Sequence, residues 1–369
     1  MLRKNMVLNL IIVRFMVCLC INWVVFHLLA DEEPNDLQKE AETGNPTCQF
    51  ELATKYFDQK KYDLALQWFQ RAADQGFAPA QYKLGVCFLK GYGTNPDPYI
   101  AAELFKKAAE KNYPDAQYAL GVVLLYGNQD QKNPKEAITW LEKAASNGHV
   151  PAESRLGECY LHGLGVEKNP QLAVKFLTQA SEQGDRSAQE NLGTSYMLGN
   201  GVPQDYTNAV KWLKLAASQD MPVAQCNLGV CFLDGKGVKK DPIEAVKWFT
   251  KSAQQGWPAA ENNLANCYAK GLGVPKDPTK AFQWFTAAAI HGLPDAQLTL
   301  AKAYESGFGT QKDLSEAAKW AYIAKKNGAT GATELLEKLI QQLNLVQQKA
   351  LIESAELFLK TNSNSVSNN

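Results

Sequence analysis

The chain has 369 residues, 38 basic and 38 acidic side chains, a formal net charge of zero and a sequence pI near 6.9. That balance excludes a strong basic field for nucleic acid or anionic lipid, and a strong acidic field as well. Hydrophobic residues make up 46%, which excludes wholesale disorder. The length is more than one conventional core needs, but it suits an array that grows without enlarging its core.

The first element is a leader. Arg3 and Lys4 precede an apolar run from Val7 to Ala30, broken by Arg14. The unbroken part, Phe15 to Ala30, falls short of the roughly 20 apolar residues of a membrane span. A basic start, a modest apolar stretch and a closing Ala30 read as a secretory signal. Leu28 is large for the third residue before a cut at that point, so an uncleaved anchor over residues 7–30 stays open. Asp31, Glu32, Glu33 and Asp36 lie on the far side from the basic residues, so either reading exports the rest of the chain. The expected location is periplasmic or secreted, with membrane contact only through this segment. Residues 1–30 are thus signal or anchor, and 31–45 an acidic linker.

A phrase then returns every 36 residues, at Ala80, Ala116, Ala152, Ala188, Ala224, Ala260 and Ala296. Each opens the same pattern: Leu four on, usually Gly next, an aromatic three further, then Gly. Self-similarity at this period predicts stacked helix pairs. In the unit from Ala224, Leu228, Gly229 and Phe232 share a helical face. Gly235 and Gly237 reverse the chain, and Asp241-Pro242 restarts it as N-cap and first helical residue. Ala245, Trp248, Phe249 and Ala253 form the inner face of a second helix, which Gly256 stops.

Cys87, Cys159, Cys231 and Cys267 share one slot of this repeat. Equivalent slots in stacked repeats lie about 9–10 Å apart, beyond disulfide reach. They read as buried packing thiols. No CxxC with a His partner supports zinc, so neither metal nor cofactor is expected.

Ala188-Gln189-Glu190-Asn191-Leu192-Gly193, Gly199-Asn200-Gly201-Val202, Ala209-Val210-Lys211-Trp212 and Ala216-Ala217 resemble, in order and spacing, the Sel1-like repeat family, a relative of the tetratricopeptide repeat. The resemblance covers residues 46–331 as eight units, beginning at Cys48, Ala80, Ala116, Ala152, Ala188, Ala224, Ala260 and Ala296. The first departs, with Phe57-Asp58-Gln59-Lys60-Lys61-Tyr62-Asp63 where the glycine turn should be, and the third has Asn128-Gln129-Asp130 in place of the second glycine. Residues 332–360 keep apolar spacing outside the period and read as a helical cap; the Ser/Asn-rich 361–369 read as a disordered tail. The expected fold is all-α: a right-handed α/α solenoid superhelix of stacked Sel1-like helix pairs with a C-terminal helical cap.

The resemblance implies an adaptor for protein–protein contact. Exported bacterial members are associated with envelope assembly, signalling control and contact with host cells, which makes a virulence role part of the expectation. A cysteine-rich branch linked to β-lactam binding carries paired Cys in each repeat. This chain lacks that pairing, so a β-lactamase-like hydrolase is the weakest reading. A carbohydrate- or peptidoglycan-binding envelope protein is the alternative.

Nothing in the residues marks an active site, and the chain reads as non-enzymatic. His27, His149, His162 and His291 lie in the leader or in separate repeats. Glu158 and His162 have helical metal-ligand spacing but read as a solvent-exposed pair. Gly-x-Gly pairs lack the Lys-Ser/Thr of a phosphate loop and recur as turns. The Trp column at Trp68, Trp140, Trp212, Trp248, Trp284 and Trp320 reads as core packing.

In tetratricopeptide-like stacks the first helix of each pair lines the concave groove, and the third, seventh and tenth positions of each unit point into it. Phe50, Phe57, Tyr82, Val86, Leu89, Tyr118, Val122 and Leu125 therefore form the candidate partner surface, with an amide ladder of Asn191, Asn227 and Asn263 that either grips a peptide backbone or bonds between repeats. The groove turns polar toward Asn262, Asn266, Lys302 and Glu305. The expected partner is a protein, as peptide or domain, and the chain itself is expected to be a monomer.

Overall fold

The computed structural model describes residues 36–366; the leader at 1–30 lies outside the described residues. Among the described residues there are 19 helices and no strand. The chain divides into two units, Met1–His149 and Val150–Asn369.

In the first unit α1 (Asp36–Glu42) packs on α2 (Pro46–Asp58). Three pairs follow: α2 with α3 (Tyr62–Asp74), α4 (Ala78–Lys90) with α5 (Pro98–Ala109), and α6 (Pro114–Tyr126) with α7 (Pro134–Ser146). Residues 36–42 are therefore helix where a linker was expected. The reason is packing: Ala41 is fully buried in one cluster with Leu52 and Ala53, so α1 covers the open end of the first repeat.

The second unit holds five pairs: α8 (Val150–His162) with α9 (Pro170–Glu182), α10 (Arg186–Leu198) with α11 (Tyr206–Ser218), α12 (Pro222–Asp234) with α13 (Pro242–Gln254), α14 (Pro258–Lys270) with α15 (Pro278–Ile290), and α16 (Pro294–Ser306) with α17 (Leu314–Lys326). α18 (Ala332–Ile340) and α19 (Leu345–Val366) pack on α17. Within each unit the second helix of a pair also meets the first helix of the next, the nearest-neighbour stacking of an α/α solenoid. α19 continues past 360 into the segment expected to be disordered. The Thr361 hydroxyl donates to the Leu357 carbonyl at 3.1 Å, and the Asn362 amide donates to the Ile290 carbonyl at 3.2 Å.

The repeat grammar has a physical cause at each mark. Asp241 caps α13, accepting from the Ile243 and Glu244 N–H groups at 3.1 and 3.0 Å; Asp97, Asp205 and Asp313 do the same for their helices, and Asp277 accepts from the Lys280 N–H alone. Gly229 faces Phe249 so closely that a Cβ there would stand 2.6 Å from the ring. Gly237, at φ +71°, rests on the start of the preceding second helix, where a Cβ would stand 2.1 Å from the Tyr206 carbonyl oxygen. The third repeat lacks this glycine. There the Gln131 amide donates to the equivalent Pro98 carbonyl at 3.1 Å, and the Tyr99 hydroxyl donates to Asp130 at 2.6 Å. Side chains thus do the work of a backbone contact.

The Trp column is core packing, as expected. Trp68, Trp212 and Trp320 are buried, and cations cover the outer faces, with Arg71 4.3 Å from the Trp68 ring centre and Lys143 4.0 Å from that of Trp140.

Cys87, Cys159, Cys231 and Cys267 are buried on the first helices. Burial pushes the thiols of Cys87, Cys159 and Cys267 up to about 11 and raises that of Cys231. At neutral pH these thiols are expected to alkylate slowly in the native protein and at the rate of a free thiol in denaturant. Mass mapping that places any of the four in an intrachain disulfide contradicts this account.

Candidate partner-binding surface

The third position of each unit does more packing than the sequence suggested. Phe50 contacts Phe69 and Phe77 at ring-centre distances of 5.7 and 5.6 Å. Tyr82 meets Tyr113 at 5.7 Å, and Tyr118 meets His149 at 4.8 Å. Ser154 donates to Asp185 at 2.8 Å, and Glu190 accepts the Ala224 N–H at 3.2 Å. Apart from Phe69, which lies on the paired helix α3, each partner belongs to the entry of the next helix pair. These side chains join repeats, and all but the buried Ser154 keep only part of their surface exposed. Burial raises the Tyr82 hydroxyl, with Asp115 and Tyr118 adding to it, and pushes Tyr113 up to about 12.

Phe57 is half-buried in an aromatic trio, 5.2 Å from Tyr62 and 5.3 Å from Tyr92, which fills the place of the missing glycine turn. The tenth position divides. Leu89 is 37% exposed, whereas Leu125 is only 7% exposed and drops out of any open surface. Val86 and Val122 are half-buried, Val86 against the cluster of Phe105 and Leu120. Tyr126, 49% exposed at the end of α6, was missed because it stands one residue beyond the tenth position.

The asparagine ladder bonds between repeats. Asn227 donates to the Thr194 hydroxyl at 3.3 Å, and Asn263 reaches the Cys226 sulfur at 3.6 Å. Asn191 is half-buried at the same position of α10.

A second ladder carries more of the structure. Gln49, Gln81, Gln117, Gln189, Gln225 and Gln297 are all buried, one residue after the repeating small residue. Each donates its side-chain N–H to the carbonyl eight residues earlier, as Gln225 does to Ala217 at 3.3 Å and Gln297 to Ala289 at 3.0 Å. Most also accept from an amide at the end of the paired helix, as Gln225 does from Gln255 at 2.8 Å and Gln117 from Asn147 at 3.2 Å. One side chain thereby satisfies a helix-end carbonyl and ties first helix to second. In the seventh repeat Glu261, 2% exposed, takes this place and meets His291 Nδ1 at 2.9 Å. Gln225→Leu keeps the volume but leaves the Ala217 carbonyl without this donor, which is expected to cost about 1–3 kcal/mol in urea unfolding. A loss under about 0.5 kcal/mol would show that the ladder is incidental.

No catalytic constellation is assembled by the residues singled out for one. Glu158 pairs with Arg155 on its own helix, His149 lies on Asp115 at 3.3 Å, and His162 is exposed. Burial lowers the His149 imidazole, with Asp115 opposing. Among the described residues no group of three His, Cys, Asp or Glu is placed to hold a metal ion.

Capped helix pairs at a 36-residue spacing define an α/α helical-repeat protein. The Sel1 repeat matches residues 46–77, 78–113, 114–149, 150–185, 186–221, 222–257, 258–293 and 294–328, and the chain belongs to that family. Among solved structures it is similar to a Sel1 repeat protein from Oxalobacter formigenes, with 31% identity, 82% of this chain and 90% of that one covered, and a TM-score of 0.64. It is also similar to a protective antigen of uropathogenic Escherichia coli with an SLR fold, with 27% identity, 89% and 95% covered, and a TM-score of 0.37. Among curated proteins nothing matches. Sel1-repeat solenoids are in general non-catalytic scaffolds for protein contact.

Proposed function

We propose that this chain is an exported, non-enzymatic adaptor that holds a protein partner in the groove lined by α4 and α6. The observation that carries the reading is compositional and spatial together. Tyr82, Val86, Leu89, Tyr118 and Val122 keep part of their apolar surface exposed along these helices. At the same three slots the second unit is more mixed: Ser154, Glu158, Glu190, Asn262, Lys302 and Glu305 are polar, while Cys226, Val230 and Leu233 on α12 are apolar. Apolar surface gathered on neighbouring helices marks a contact site. Its tyrosines are already oriented by Tyr113 and His149, which lowers the ordering cost of binding. Export rests on the basic start, apolar run and following acidic residues of the leader, and it puts the partner in the envelope or on a host cell. The carbohydrate alternative needs open aromatic faces, and Tyr82 and Tyr118 turn theirs toward neighbouring rings.

The test begins with crosslinking and capture from extracts of the source cells and any host. Leu89→Ser with Val122→Ser is then titrated against the captured partner beside Asn262→Ala with Lys302→Ala. The first pair is expected to weaken binding by about tenfold or more, since about 1.4 kcal/mol is tenfold, with unchanged helical circular dichroism. Loss of binding with the second pair alone places the site elsewhere. Amino-terminal sequencing of the cell-derived protein is expected to begin after Ala30, or at the start if the anchor is kept. Recovery only from the cytosol contradicts export.

A further inference from the structure

The terminal helix α19 is apolar on two sides. Leu351 and Ala355 are buried toward the rest of the unit, with Phe358 and Leu359 half-buried against the same cluster. On the opposite side Val346 is 77% exposed and Leu357 64%, while Leu345 at 78% and Ile352 at 43% lie between the two sides. A helix apolar on opposite sides has two surfaces to cover.

The outer side carries a 4-3-4-3 stripe of Val346, Ala350, Glu353, Leu357 and Lys360, with Lys349 flanking it. That is the spacing of a helix–helix seam. The order of side chains along it specifies the partner. Laid antiparallel on itself about the midpoint of Leu351 and Ile352, the stripe places Val346 on Leu357 of the other copy and small Ala350 opposite Glu353. Lys349 then stands beside Glu353 of the other copy. Every contact occurs twice, as a two-fold interface requires. Laid parallel, the same stripe sets Lys349, Glu353 and Lys360 each against its own copy, and like charges repel. We propose that α19 is a self-association surface that pairs two copies of the chain antiparallel through Val346, Ala350, Glu353 and Leu357. This revises the monomer expected from sequence and does not rest on the partner site proposed for α4 and α6.

Val346 to Leu357 spans about 17 Å of helix at 1.5 Å per residue. One such stripe is smaller than a standard stable interface, so the dimer is weak and concentration-dependent. Sedimentation of the full chain across a concentration series tests it. Wild type is expected to shift from monomer to dimer. Val346→Glu with Leu357→Glu changes two exposed positions, is expected to leave the circular dichroism unchanged, and abolishes the shift. Lys349→Glu or Glu353→Lys alone weakens it by about tenfold, and the two together restore it to within about threefold, because the charges are exchanged across the axis. A monomer up to about 1 mM overturns the proposal, as does a dimer indifferent to the Val346/Leu357 pair. Failure of the double exchange to rescue overturns the antiparallel register.

Discussion

Phe249→Ala is expected to lower the unfolding free energy by about 3–5 kcal/mol, the range for removing a buried aromatic side chain. Phe249 is fully buried at the centre of the α12–α13 pair. The residue facing its ring is Gly229, which has no side chain to move into the void. The cavity therefore cannot collapse, and the cost belongs at the upper end of the range. Urea unfolding followed by circular dichroism measures it. A loss under about 1 kcal/mol would mean that the site repacks and that the glycine–aromatic contact does not set the helix spacing.

Gly237→Ala should act through the backbone. A β-carbon at φ +71° is strained, which costs about 1–2 kcal/mol. It would also stand 2.1 Å from the Tyr206 carbonyl oxygen, a contact that no rotamer change relieves. Forced displacement adds about 1–3 kcal/mol. Gly184→Ala is the matched control: its φ is +89°, but a Cβ there meets nothing within 4 Å. The control should lose only the conformational part. Equal losses at both sites would show that the close approach of turn to helix contributes nothing.

The repeat architecture was legible because each mark has a local cause. The Asp-Pro restart, the glycine reversal and the small-residue column follow from caps, positive φ and close helix approach, and all three are periodic in sequence. The same locality hid other features. Tyr82 and Tyr118 looked like free groove anchors because helical spacing gives the face but not the neighbour; the contacts at Tyr113 and His149 lie 31 residues on in each case. Leu125 occupies the slot of exposed Leu89 yet is buried, a difference that the repeat spacing does not carry. The glutamine ladder was visible as a column next to the repeating alanine, but glutamine is ordinarily a surface residue. Its role appears only when the carbonyl eight residues back and the amide at the end of the paired helix are seen to converge on it. Both ends of the array escaped composition as well. Residues 36–42 and 361–366 look like linker and tail, and both are helical, α1 because Ala41 is buried against the first repeat and α19 because Asn362 bonds Ile290 across 72 residues.

The central claim, that a protein partner sits in the groove lined by α4 and α6, is tested most directly by amide hydrogen exchange of the chain with and without its captured partner. Binding over Val86, Leu89 and Val122 predicts new protection in the peptides spanning Ala78–Lys90 and Pro114–Tyr126, with the helices of the second unit unchanged. Protection confined to Arg186–Leu198, Pro222–Asp234 or Pro258–Lys270, with none in the first two segments, would contradict it.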